Sequence, residues 1–130
     1  MIDINVIADL VAEDLKEYSA FVSYAPEFTL ASLEQEKCVV VPVGYEDTIA
    51  SRNSDTVECQ IEIGFLKRGK NLDVPALSRC ARDIAKRFLR KNYCGTTCFK
   101  AQNRVLADPE NLREKNQFTS VITLHFKGVE

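Results

Sequence analysis

Five cysteines, one histidine and a pair of glutamates on a strand-like run are the side chains from which this chain could build a reaction. Each combination fails on partners or on spacing. A cysteine nucleophile needs a base within hydrogen-bond reach, normally a histidine. Only His125 is available, and it alternates with apolar residues, which turns it toward solvent or a helix rather than a thiol. A structural zinc site needs four ligands in closed tetrahedral geometry. Cys94 and Cys98 are separated by three residues, yet no second pair has comparable spacing, so Cys59, Cys80 or His125 would have to complete the set from separate elements. The thiols at 38, 59, 80, 94 and 98 read instead as small buried hydrophobes. Glu58 and Glu62 share one strand face and read as a wet sheet surface, not as an acid and its base. Gly64, Gly69 and Gly95 are isolated, and none belongs to a phosphate-binding glycine run. The expectation is a protein that is not an enzyme and holds no metal or cofactor.

The charges are more informative. The formal net charge is only −2, but residues 67 to 91 hold nine of the 17 basic residues and only Asp73 and Asp83 as acids. The rest of the chain carries eight basic and 17 acidic residues. Blocks of like charge on helices are often no more than solvated faces. If the two regions lie on different sides of the fold, however, copies can pack head to tail, and such a contact closes into a ring when the rotation permits. Arg79, Arg82, Lys86 and Arg90 form a basic stripe, which admits phosphate binding and makes a small nucleic-acid-binding module over residues 74–91 an alternative. Against it stand the absence of stacking aromatics from that stripe and a pI of about 5.5.

The elements that would carry these residues follow from periodicity. A length of 130 residues with 45% hydrophobic content suits one domain with one core. No run of about 18 apolar residues is present to span a bilayer, and Asp3 and Asp9 interrupt any secretory leader. An odd number of scattered cysteines fits a reducing compartment, so cytoplasmic synthesis is expected. Ile7, Leu10, Val11, Leu15 and Tyr18 recur at helical spacing, with Asp3 placed to cap and with Ile2 and Ile7 at staple positions. After an extended connection at Tyr24-Ala25-Pro26 and at most a helical turn at Leu30 to Glu34, Cys38 to Val43 reads as a strand covered on both faces, with Pro42 at an edge or end. Val57, Cys59, Ile61, Ile63 and Phe65 alternate with polar residues as one buried strand face. Asp73 and Pro75 open a second helix reaching about Lys91, whose inner stripe is Leu77, Cys80, Ala81, Ile84, Phe88 and Leu89. Strands are expected over Cys98 to Leu106 and Phe118 to Lys127, with a short helical turn after Asp108-Pro109. The fold class is therefore α+β: a mostly antiparallel sheet of about four strands packed with two main helices.

Between the first two strands stands Tyr45 to Asp55, a polar insert containing Glu46, Asp47, Arg52 and Asp55. Two residues suffice to join antiparallel strands, and long loops are usually functional. This long hairpin arm, read as an extended loop over 45–55, contains no nucleophile with a base. It is expected to touch a partner, mobile alone and ordered on contact.

Several of these runs together resemble the small neck and tail-completion proteins of long-tailed bacteriophages, the tail terminators above all. They are Val39 to Gly44, the arm ending near Ser51-Arg52, Val57 to Gly64, Lys67-Arg68, Asp108 to Leu112, and Phe118 to Leu124. The resemblance implies a non-enzymatic virion protein, commonly a hexameric ring, that caps the tail tube and forms the joint with the head through which DNA passes. It implies as partners other copies of the chain, the tail tube protein and head connector proteins, with no sequence-specific DNA binding and no membrane. Tyr45 to Asp55 becomes an interface arm, and the basic stripe a channel lining or a subunit contact. A head-side connector or stopper ring of the same neck is the nearest alternative.

Overall fold

The computed structural model describes residues 1–24, 36–69 and 71–130. The extended connection expected at Pro26 and the helical turn expected at Leu30 to Glu34 lie outside them. Helix α1 spans Ile4–Asp14 and begins as its sequence dictates: the Asp3 carboxylate accepts from the Asn5 N–H at 2.9 Å, and Ile2 and Ile7 are both buried. A 3-10 turn over Lys16–Tyr18 follows and ends at Ser19, where φ is 58°. Ile4, Ile7, Ala8, Val11 and Leu15 form the buried stripe, while Leu10, expected inside, is exposed.

The remaining elements are β1 (Phe21–Val22), β2 (Glu36–Ser51), β3 (Ser54–Arg68), α2 (Val74–Phe88), β4 (Asn92–Tyr93), β5 (Thr96–Arg104), α3 (Pro109–Lys115) and β6 (Gln117–Val129). They make an α+β domain with one sheet in the order β1-β2-β3-β6-β5-β4. The four long strands are antiparallel neighbours, as the alternating runs require. Two strands of two residues were not expected: β1, parallel to β2, and β4, joined to β5 by a tight turn at Cys94 (φ 53°) and Gly95 (φ 79°). Positive φ at both central residues is the geometry that matches the twist of a two-residue hairpin.

Both main helices lie on one face of the sheet. Val57, Cys59, Ile61, Ile63 and Phe65 of β3 pack there with Phe118, Ile122, Leu124 and Phe126 of β6, against the α1 stripe and Ala81, Ile84, Ala85 and Phe88 of α2. The opposite face carries Glu58, Gln60 and Glu62 beside Thr123 and His125, all partly exposed. Along the middle of β3, alternation with a period of two divides a helix-covered face from an open polar one, whereas at the other end of the sheet Val39, Val41 and Leu66 form a second small buried cluster on that opposite face.

Two expectations need correction. The insert at 45–55 is not a loop. Strands β2 and β3 stay paired through Thr48↔Thr56, Ile49↔Asp55 and Ser51↔Ser54, so only Arg52-Asn53 turns, closed by Ser51 Oγ and Ser54 Oγ 2.6 Å apart. Its polar residues sit on a strand whose two faces both meet water, where composition no longer distinguishes strand from loop. Helix α2 also ends earlier than expected. After Phe88 the backbone turns, Arg90 (φ 72°) donates its N–H to Cys98 O and Lys91 O accepts from the Cys98 N–H, which takes Arg90 off the helix and ties the turn to β5.

Candidate functional site

Three surfaces compete for function: the hairpin arm, the exposed side of α2, and the open face of the sheet. The arm starts at a bulge. Pro42 faces Ile61 and Gly44 faces Gln60, which makes Val43 the extra residue. Proline has no N–H to give to a ladder, and a bulge near an edge is where it can sit. The bulge reverses the side-chain phase. Before it Cys38 and Val40 lie on the helix side; after it Tyr45, opposite Cys59, and Asp47, opposite Val57, do. Glu46 and Thr48 consequently fall on the open face.

The proposed contact residues of the arm are distributed unevenly. Tyr45 is half built into the fold, because its hydroxyl accepts from the Ile4 N–H at 2.7 Å and so satisfies a free amide at the start of α1. Glu46, Asp47, Arg52 and Asp55 are all exposed. Asp55 anchors the arm through its backbone, exchanging two hydrogen bonds of 2.8 Å with Glu130. Ile49, which polarity alone did not single out, is 86% exposed, the most of any large apolar side chain after Met1 among the described residues.

On α2, Arg79, Arg82 and Lys86 are exposed, as is Arg90 in the turn beyond it. Among the described residues no ion pair engages these four. The charges that do pair are ones the spacing did not separate from the rest. Arg87 bonds Glu17 and donates to the Asp14 carbonyl at 2.9 Å, and Lys91 Nζ reaches Asp14 Oδ2 at 3.0 Å. Part of the acidic–basic complementarity is therefore used within the subunit, fastening α1 to the end of α2. Between α2 and β5 runs a groove of about 350 Å³ with Ala85, Leu89 and Ala101 as apolar walls and Arg82, Lys86 and Asn103 as polar ones.

Tyr93 also donates to Asp14 Oδ2. That hydrogen bond, helped by Lys91 and opposed by burial, holds the Asp14 carboxyl below its ordinary value. A carboxyl depressed in the fold contributes stability that is present above its unfolded pKa of about 3.9 and is lost as pH falls through the lower folded value. Tyr93→Phe is expected to cost about 1 kcal/mol at pH 7, a charge-assisted bond discounted for a partly exposed site. The difference should be smaller at strongly acid pH than at pH 7, because it is lost as pH falls through the lowered folded value of Asp14. Urea unfolding of both proteins at the two pH values checks this, and an equal difference at both would contradict it.

The open face and the thiols offer no reacting pair. His125 Nδ1 lies 3.6 Å from Glu58 Oε1 and its Nε2 3.0 Å from Gln102 Oε1, while Cys38, Cys59 and Cys98 are buried on the other side of the sheet. Burial pushes the Cys59 thiol up to about 11 and raises that of Cys98, which keeps both protonated at neutral pH. Cys94 sits in the β4–β5 turn and Cys98 in the core, so their spacing reflects a hairpin. Among the described residues no three His, Cys, Asp or Glu side chains converge on a metal position. Gly44, Glu46, Glu58, Gln60 and His125 line a polar hollow of about 140 Å³ on this face.

The two borders of the sheet complete the picture. Among the described residues β1 covers β2 only at Val39 and Val40, and β4 covers β5 only at Thr96 and Thr97. With Cys98 tied to the Arg90–Lys91 turn, two long strand edges, β2 through the arm and β5 from Phe99 to Arg104, have no strand neighbour among the described residues. No protein-family model matches this chain, and no curated protein matches it.

Proposed function

We propose that this protein is a structural subunit that works as a closed ring of identical copies, and that the ring is the terminator of a phage tail, capping the tube and joining it to the head. The observation that carries the reading is the pair of strand edges, on opposite sides of one sheet, that no strand covers among the described residues. Unpaired N–H and C=O groups along an edge are a template for another chain, and a single folded domain normally shortens or covers them. Two such edges on opposite sides make a subunit that can receive a neighbour on each flank, and a heterologous contact of this kind closes when its rotation permits. The tail-terminator role rests on the sequence resemblance together with this capacity for assembly. In such a ring the rims are the surfaces left for the tail tube protein and the head connector.

Negative-stain electron microscopy and sedimentation velocity, at low and moderate salt and with terminator-deficient tails added, test the reading. Annular particles of one size, or tube ends capped by the protein, are expected. Monomer under every condition, with tube ends bare, would overturn it.

A further inference from the structure

Resting on that ring reading, the geometry points to one specific joint: the arm strand β2 of one copy, over residues 43–51, pairs antiparallel with β5 of the next, over residues 99–104. Direction follows from strand parity. The four long strands alternate, so β5 runs opposite to β2 within a subunit. A rotation about an axis along the strands preserves direction, and the neighbour's β2 therefore arrives antiparallel to β5, the arrangement with perpendicular ladder hydrogen bonds.

Side-chain phase then decides what meets what. On the helix side β2 presents Asp47, and Ile49 lies opposite Asp55 in the same phase; on that side β5 presents Ala101 and Asn103, which border the groove with Ala85, Leu89, Arg82 and Lys86. Ile49 gains an apolar seat, and Asp47 gains Arg82 and Lys86, which no ion pair engages among the described residues. On the open face Glu46 falls beside the strip formed by Lys100 and Arg104, both exposed.

The same charges reject wrong pairings. Between Val43 and Ser51 the β2 edge carries only acids, Glu46 and Asp47; between Cys98 and Arg104 the β5 edge carries only bases, Lys100 and Arg104. Two arms, or two β5 edges, would bring like charges together, which is unfavourable and leaves β2 against β5 as the favoured match. The joint also orients the ring. Joined edge to edge, the sheets form a continuous wall with α1 and α2 on one side, so the basic stripe lies on the side away from the open polar face.

The test is a charge exchange. Asp47→Arg and Arg82→Glu are each expected to raise the protein concentration needed for ring formation at least roughly tenfold, and the double variant to recover most of the loss. Both residues are exposed, so unchanged circular dichroism and thermal unfolding confirm that each variant folds. Ile49→Glu should impair assembly without rescue by either partner change. If the single variants assemble like the unmodified protein, or the double variant fails to recover, this joint is overturned while a ring remains. If the unmodified protein forms no ring on its own or on tails, the ring reading itself fails. Capture of an acidic peptide by β5 in a protein that never self-associates would assign the edge to a foreign partner instead and would also overturn the joint.

Discussion

Replacing Phe65 by alanine is expected to lower the unfolding free energy by about 3–5 kcal/mol, the usual range for emptying a buried aromatic site. The position allows little relaxation. Phe65 is 1% exposed and stands between two edge-to-face rings, Tyr18 at 5.9 Å and Phe118 at 6.2 Å between centroids. It links the 3-10 turn after α1, the middle of the sheet and the last strand. Losing it opens a cavity and removes two favourable ring pairs together. For a domain stable by roughly 5–15 kcal/mol this is a large fraction, and the melting temperature should fall by roughly 10–20 °C. Urea and thermal unfolding of the two proteins measure it. A loss under about 1 kcal/mol would mean that neighbouring side chains close over the gap and that the three elements are less rigidly joined than their packing indicates.

Gly128 gives the second large effect, through crowding instead of loss. A Cβ built there would stand 2.6 Å from the Gly95 carbonyl oxygen, 3.0 Å from Ile2 Cδ1 and 3.1 Å from Thr96 Cγ2. The nearest of these is backbone, held in the Cys94-Gly95 turn, and it cannot swing aside as a side chain would. Gly128→Ala is therefore expected to destabilise by about 1–3 kcal/mol. Gly44→Ala is the matched control, because no atom lies within 4 Å of its added Cβ, and it should stay within about 0.5 kcal/mol of the parent. Chemical unfolding of the two variants beside the parent separates a steric cause from the general cost of replacing a strand glycine. Equal effects would remove the close approach as the explanation.

Where burial was asymmetric, the sequence was readable. The alternating runs of β3 and β6 announced their buried faces residue by residue, since Val57 to Phe65 and Phe118 to Phe126 have a core on one side and polar neighbours on the other. The capped starts of α1 and α2 were equally plain, because Asp3 and Asp73 have a local task that needs no tertiary information. The arm was not. Glu46, Asp47 and Thr48 belong to a ladder whose partners, Glu58, Val57 and Thr56, lie across the hairpin, and composition does not record that pairing. The end of α2 was hidden for the same reason, since the bonds between the Arg90–Lys91 turn and Cys98 stop the helix, not a helix-breaking residue.

The candidate surfaces divided along the same line. Spacing identified the basic stripe, and Arg79, Arg82 and Lys86 do project from α2. It could not tell which cations of that segment are already engaged, because Arg87 and Lys91 differ from their neighbours only in facing Glu17 and Asp14 across the fold. Ile49 was passed over because an isolated apolar residue in a polar stretch carries no periodic signal. Its exposure becomes notable only once it is seen on a paired strand.

The extra residue at Val43 separates two halves of β2 that can change independently. Inserting or deleting one amino acid at that point would turn the arm over, exchanging the side that shows Asp47 and Ile49 for the side that shows Glu46 and Thr48, while Cys38 and Val40 kept their places beneath the helices. A lineage could thus re-specify which neighbour it accepts through a single length change, without disturbing its interior.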